Sequence, residues 1–105
     1  MAYVHPLVAL GDPTRRSIFE RLRRGARSVT ELADELPVSR PAVSQHLRML
    51  KEAGLVRERR DGTRRLYRID PDGLGEVRDY FDDFWSDVLT AFKDAVERGE
   101  EEGRA

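Results

Sequence analysis

Two short helical segments joined by a tight turn, near the middle of the chain, constrain the fold more than any other feature of the sequence. Ser28 and Glu31 have the spacing of a capping box, so a helix is expected to start there. Pro37 ends this helix, and Ser39 is a favourable N-cap for the next one. The pattern of apolar residues then predicts a helix over residues 39–53.

Further helix starts flank this central pair. Asp12-Pro13 and Asp70-Pro71 each place an N-cap residue before a proline at the first helical position. They predict one helix before the central pair and a long helix over residues 71–98. A short apolar segment at residues 4–10 precedes all of these elements.

A β-hairpin is predicted between the central pair and the long helix. Two extended segments, residues 55–60 and 63–69, flank Asp61-Gly62, and a two-residue Asp-Gly loop is a strong hairpin signal. In that register Glu58 faces Arg65 across the ladder. The sequence therefore predicts a mostly α fold with a small β-hairpin wing, a winged helix-turn-helix in the order α1-α2-α3-α4-β-β-α5. The whole chain, residues 1–105, is expected to form a single domain.

The net charge of −1 conceals two parts of opposite sign. Residues 1–70 contain 15 Lys or Arg and 9 Asp or Glu, which gives a formal charge of +6. Residues 71–105 contain 4 Lys or Arg and 11 Asp or Glu, which gives −7. The first part of the chain is therefore suited to a polyanionic partner, and the last part is not.

Composition argues against several classes of function. The chain has no cysteine, which excludes disulfides, thiolate metal sites and cysteine nucleophiles. It has two histidines outside any catalytic pattern and no glycine-rich phosphate loop, so it is not expected to be an enzyme or to need a cofactor. No signal peptide is recognisable, and no apolar run approaches the roughly 20 residues of a membrane helix. A cytoplasmic protein is expected.

The helix over residues 39–53 carries the functional prediction. Val43, Leu47 and Leu50 share the edge that is expected to face the core. The opposite side presents an amide, a hydroxyl and a guanidinium, which can read base edges or hold phosphates in a major groove of DNA. The candidate DNA contacts of this helix are Ser39, Arg40, Pro41, Ser44, Gln45 and Arg48.

The hairpin provides a second candidate contact, along the DNA backbone and largely independent of base sequence. Its Asp-Gly turn permits a tight approach to the ligand, because glycine has no side chain in the way. The candidate residues of the wing are Arg59, Arg60, Gly62, Thr63, Arg64 and Arg65.

Five stretches of the sequence form a specific combination: GDPTRR at 11–16, TELA at 30–33, PAVSQHLRML at 41–50, AGLV at 53–56 and GTRRLY at 62–67. This combination resembles the ArsR family of bacterial transcriptional regulators. The resemblance implies a homodimeric repressor that binds a pseudo-palindromic operator and often controls its own promoter. It also implies that the helix over residues 39–53 reads the DNA, with His46 among its contacts, and that the hairpin is the wing. For His46, packing within the protein is the alternative to a base contact.

The metal sites of that family are not recognisable in this sequence. Its metal-sensing members use a Cys-X-Cys pair in the helix-turn-helix, or Asp and His clusters on the last helix. Residues 31–36 contain no cysteine, and the last helix contains no histidine. No metal site is therefore predicted, and no inducer is indicated. A site built from Asp, Glu and His across a dimer is the remaining alternative.

Apolar residues of the long helix recur at spacings of three and four, as in a heptad seam. A domain of this size cannot cover so wide a stripe by itself. Residues 71–98 are therefore expected to be a dimerisation helix that forms a two-fold interface together with the first apolar segment. The expected interface residues are Val4, Leu7, Val8, Leu74, Val77, Phe81, Phe84, Trp85, Val88, Leu89 and Phe92. A ligand pocket lined by Phe84 and Trp85 is the alternative.

Taken together, these features predict a homodimeric, sequence-specific DNA-binding repressor. Its expected partners are double-stranded operator DNA and a second copy of the chain. The alternative is a winged-helix module for protein interaction without operator binding, which the acidic and aromatic-rich last helix would suit.

Overall fold

The computed structural model describes residues 3–99. Residues 1, 2 and 100–105, which the single-domain prediction includes, lie outside the described residues. In chain order the elements are α1 (Pro6–Ala9), α2 (Pro13–Arg21), β1 (Arg27–Ser28), α3 (Val29–Glu35), α4 (Arg40–Glu52), β2 (Val56–Asp61), β3 (Arg64–Ile69) and α5 (Pro71–Glu97). The predicted winged helix-turn-helix is confirmed, with the short strand β1 as an addition.

Each of the predicted helix starts has the expected capping hydrogen bond. The side chains of Asp12, Ser28, Ser39 and Asp70 accept a hydrogen bond from a backbone N–H in the first turn of α2, α3, α4 and α5, respectively. At α3 the capping box is complete, because the Glu31 carboxylate also accepts from the Ser28 N–H at 2.8 Å. These caps satisfy N–H groups that have no partner inside a helix. Local sequence thus fixes where the helices begin.

The three strands form an antiparallel sheet in the order β1-β3-β2. The predicted hairpin register is wrong by two residues: Asp61 pairs with Arg64, and Glu58 pairs with Tyr67. The loop therefore consists of Gly62 and Thr63, and only Gly62 has a positive φ, of 65°. A glycine at the first loop position suits a type II′ turn, whereas an Asp-Gly loop needs a positive φ at the aspartate as well.

One apolar core lies between the helices and the sheet. Its buried residues come from every helix except α5 and from both wing strands, and they are Ala9, Ile18, Phe19, Leu22, Leu32, Val43, Leu47, Leu50, Ala53, Leu55, Val56 and Tyr67. The three α4 residues predicted to face this core, Val43, Leu47 and Leu50, are all buried in it. Helix α4 is thereby held firmly along one edge.

Among residues 3–99, helix α5 packs against the rest of the molecule through its first turns. There, Gly73 packs against the backbone of Gly54 in the turn after α4. Further along, Glu76 accepts a hydrogen bond from the Tyr3 hydroxyl at 3.2 Å. The described chain measures 64 × 26 × 26 Å with a radius of gyration of 19.0 Å, against about 13 Å for a compact domain of this length. Most of α5 therefore projects from the domain.

The described residues include no helix that is both long enough and apolar enough to cross a lipid bilayer.

Candidate nucleic-acid interface

Helix α4 presents a polar face on the side opposite its buried edge. Ser44, Gln45 and Arg48 are exposed, and Arg48 is 74% exposed at its side chain. Its one ion-pair partner among residues 3–99 is Glu52, one turn further along the same face, at a long distance of 3.6 Å. A surface ion pair of this kind is weak, so the Arg48 guanidinium can move to another acceptor at little cost.

The N-terminus of α4 is also accessible. Ser39, Arg40 and Pro41 are exposed, and the Ser39 hydroxyl accepts from the Ala42 N–H at 3.3 Å. Within residues 3–99, Arg40 has no ion-pair partner. A free cation beside the positive end of the helix dipole favours an anion at this position.

His46 lies apart from the polar face of α4. Its ring is half-buried, and Nδ1 lies 3.3 Å from Nη1 of Arg15 on α2. The same Arg15 donates from Nε to the carbonyl oxygen of Ala9 at 2.6 Å. His46 therefore connects α4 to α2 and α1, an arrangement that favours the packing role over a base contact.

The wing carries exposed arginines around its tip. Arg59, Arg60 and Arg64 are exposed, as are the loop residues Gly62 and Thr63. Arg64 lies 3.9 Å from Asp61, whereas Arg59 and Arg60 have no ion-pair partner in the described part of the chain. Because Arg60 pairs with Arg65 across the ladder, like charges are held side by side. Such an arrangement is stabilised by a polyanion.

A cleft of about 390 Å³ separates α4 from the wing. Its walls are formed by Val29, Ser44, Arg48, Lys51, Glu58, Arg65 and Tyr67. Glu58 accepts from Lys51 Nζ at 2.7 Å and from Arg65 Nη1 at 2.7 Å. The Lys51 ammonium lowers the pKa of Glu58, and the Glu58 carboxylate in turn raises the pKa of Lys51. Glu58 and Lys51 are therefore both charged at neutral pH.

Lys51 is not among the residues predicted from the sequence, which placed Arg65 opposite Glu58 on the wing without this second cation from α4. The Glu58–Arg65 pair does form, although in the observed register the two residues are diagonal neighbours and not directly opposite. The link to Lys51 depends on how α4 crosses the wing, which no local pattern of the sequence reveals.

The expected interface residues of α5 form one continuous exposed face. Leu74, Phe81, Phe84, Trp85, Val88, Leu89 and Phe92 are exposed, with Trp85 at 61%, and Val77 is half-buried. In the N-terminal segment Val8 is exposed, whereas Val4 and Leu7 are half-buried. Tyr80, which is not among the interface residues predicted from the sequence, stacks on Phe84 with ring centres 6.4 Å apart. On a helical wheel of α5 Tyr80 lies beside Phe84, so its position in the sequence could have identified it as part of this face.

Among residues 3–99 there is no group of three or more His, Cys, Asp or Glu side chains arranged to hold a metal ion.

Comparison with known proteins identifies the family. The model of a helix-turn-helix domain matches residues 10–59. The chain is 54% identical over 89 residues to the HTH-type transcriptional regulator Rv2034 of Mycobacterium tuberculosis, which covers 85% of this chain and 83% of that protein. It is 45% identical over 71 residues to the HTH-type transcriptional repressor SmtB of the same species, covering 68% of this chain and 53% of the repressor.

Solved structures agree with this assignment. A crystal structure of an ArsR family transcriptional regulator is similar with a TM-score of 0.70 and 30% sequence identity, over 76% of this chain and 88% of that one. The fold, the exposed face of α4 and the relatives point the same way: the chain belongs to the ArsR family of winged helix-turn-helix transcriptional regulators.

Proposed function

We propose that this DNA-binding regulator acts as a homodimeric repressor that binds a pseudo-palindromic operator. In this proposal α4 enters the major groove and the wing lies along the phosphate backbone. The observation that carries the proposal is the orientation of α4. Its Val43–Leu47–Leu50 edge is buried, so Ser44, Gln45 and the rest of the polar face stand free above the surface.

The exposed apolar face of α5 supports the dimer. Large apolar side chains cover about half of the helix circumference, and soluble monomers rarely expose continuous patches of this kind. Each fully buried Phe or Leu side chain contributes about 1.5–3 kcal/mol, so several of them can offset the cost of association.

The spacing of these residues also suits a two-fold axis. Apolar residues of α5 occur in pairs at equal distances from the point between Phe84 and Trp85. The pairs are Phe81 with Val88, Val77 with Phe92, and Leu74 with Ala95. A second copy of α5 running antiparallel brings the members of each pair opposite one another. This symmetry is what an isologous interface requires.

The dimer gives the polar faces of two α4 helices a fixed separation. Operators read by helix-turn-helix dimers place their half-sites about 34 Å apart, one turn of the DNA helix. Helix α5 has 27 residues, which corresponds to a length of about 40 Å.

The outer face of α5 carries exposed aspartates, which DNA phosphates repel, at Asp79, Asp82, Asp83, Asp87 and Asp94. The dimer helix is therefore expected to lie on the side away from DNA.

Selection of bound sequences from a random DNA pool tests the proposal directly. The expected result is a sequence with two-fold symmetry, followed by tight binding in fluorescence anisotropy. Arg48→Ala should then cost about 1–3 kcal/mol of operator affinity if the guanidinium contacts a base. Arg64→Ala should instead weaken all duplexes alike and flatten the salt dependence by about one unit of slope.

Equal affinity for selected and scrambled duplexes at physiological salt would contradict operator recognition. It would favour a winged-helix module for protein interaction, in which the acidic and aromatic helix α5 engages another protein.

A further inference from the structure

We propose that Glu58 weakens the sequence-independent part of DNA binding. It does so by forming ion pairs with two cations, Lys51 and Arg65, that line the cleft between α4 and the wing. The inference rests on the proposed function, because it assumes that the DNA backbone passes along this cleft. It assigns Glu58 the role of an internal competitor with DNA phosphate.

The position of Glu58 is the first support. It lies on β2 at a position whose side chain points toward α4, as the inward-facing Val56 does two residues earlier. The Glu58 side chain is only 16% exposed, although it bears a full charge. Lys51 and Arg65, in contrast, are 54% and 57% exposed. The acid is therefore recessed at the floor of the cleft, and the two cations stand above it.

The charge balance of the cleft is the second support. Arg48, Lys51 and Arg65 line it together with one carboxylate. Each of the two short contacts, at 2.7 Å, is a charge-assisted hydrogen bond. A phosphate oxygen at the mouth of the cleft competes with Glu58 for the same N–H donors. Lys51 and Arg65 are thus partly neutralised before any DNA arrives.

Other arginines of the interface lack such a competitor. Arg59 and Arg60 on the wing, and Arg40 at the start of α4, have no carboxylate within ion-pair distance among the described residues. The interface therefore contains cations that are free to bind phosphate and two cations that are held by Glu58. Arg48 and Arg64 lie between these cases, with long contacts of 3.6 Å to Glu52 and 3.9 Å to Asp61.

The test is a salt titration of DNA binding by the full chain with Glu58→Gln. Each new phosphate contact steepens the slope of log K against log salt by about 0.9. One such contact therefore multiplies the ratio of the affinity at 0.1 M salt to the affinity at 1 M salt by about eight. We expect the variant to gain one or two such contacts. The gain should be similar for a selected operator and a random duplex, because phosphates carry no sequence information.

Glu35→Gln is the matched control. The Glu35 carboxylate also bridges two cations, Arg21 and Arg27, and its loss changes the net charge by the same amount. It does not line the cleft. The salt slope of this variant should therefore equal that of the wild type. An equal steepening in both variants would show a general effect of charge and would overturn the inference.

A second comparison leaves Glu58 intact. Lys51→Gln and Arg65→Gln alter exposed side chains, and each should change the wild-type salt slope much less than Arg59→Gln, which removes an unpaired cation. Adding Glu58→Gln to the Lys51→Gln, Arg65→Gln double variant should have no effect on the slope. A full loss of about 0.9 from Lys51→Gln or Arg65→Gln alone would overturn the inference.

The outcomes separate this inference from the proposed function. If the wild type binds no duplex at any salt concentration, the proposed function fails and this inference fails with it. If the wild type binds DNA but Glu58→Gln leaves the slope unchanged, only the inference fails. A change in the ratio of operator to random affinity would also contradict it, since Glu58 would then influence base readout.

Discussion

Replacement of Gly73 by alanine tests the joint between α5 and the rest of the domain. A Cβ atom at this position would lie 2.6 Å from the carbonyl carbon of Gly54 and 3.1 Å from the Leu55 nitrogen, and closest of all to the Gly54 carbonyl oxygen. These are backbone atoms, which cannot move aside by changing a rotamer. Gly73→Ala therefore forces α5 away from the turn that follows α4.

Gly75→Ala is the matched control, two residues further along the same helix. A Cβ atom at Gly75 meets no atom within 4 Å. Alanine is more favourable than glycine inside a helix by about 1 kcal/mol, so this variant should be more stable than the wild type. The same helix preference applies at Gly73, but overpacking costs about 1–3 kcal/mol or more. Gly73→Ala should therefore be less stable than Gly75→Ala by about that amount.

Urea unfolding followed by circular dichroism measures the difference. All variants must be compared at one protein concentration, because the stability of a dimer depends on concentration. If Gly73→Ala were as stable as Gly75→Ala, the close approach of the two backbones would not exist in solution, and the reasoning would be refuted.

Three further predictions concern the apolar face of α5, the cap of α3 and the ion pairs of two half-buried carboxylates. Phe84→Glu places a charge at the centre of the proposed dimer and should give monomers in analytical ultracentrifugation. Asp87→Asn, on the acidic face, should leave dimers. A dimeric Phe84→Glu protein would contradict the α5 interface. Ser28→Ala removes the cap of α3 and should lower the free energy of unfolding by about 1 kcal/mol, and an unchanged urea midpoint would contradict the capping box. Lys51 lowers the pKa of Glu58, and Arg57 lowers the pKa of Asp70. The two ionised carboxylates therefore stabilise the folded protein fully above their ordinary pKa values of 4.5 and 3.8, and this contribution is lost as pH falls through the lowered pKa values of the folded state. The urea midpoint should therefore fall in acid, and a flat profile would contradict these ion pairs.

The helices of this protein could be predicted because their determinants are local. Ser28, Ser39 and Asp70 each cap the helix that follows within three residues along the chain. The burial of Val43 and Leu47 follows from helical periodicity alone. Neither inference needs any knowledge of how distant segments meet.

The hairpin register and the Lys51–Glu58–Arg65 network could not be predicted in the same way. The register depends on which residue adopts a positive φ, and Asp61-Gly62 and Gly62-Thr63 are both plausible loops in sequence. The network depends on the angle at which α4 passes the wing. Strand β1 has only two residues, too few to produce an alternating pattern. These features are set by tertiary packing.

The contact between Gly54 and Gly73 has a mechanical consequence. Two backbones meet there with no side chain between them to absorb a displacement. A rotation of α5 about its own axis, or a sliding of one α5 along its partner, is therefore expected to displace the end of α4 as well. In a dimer built on α5, a change in how the two α5 helices pack would therefore change the distance between the two α4 helices.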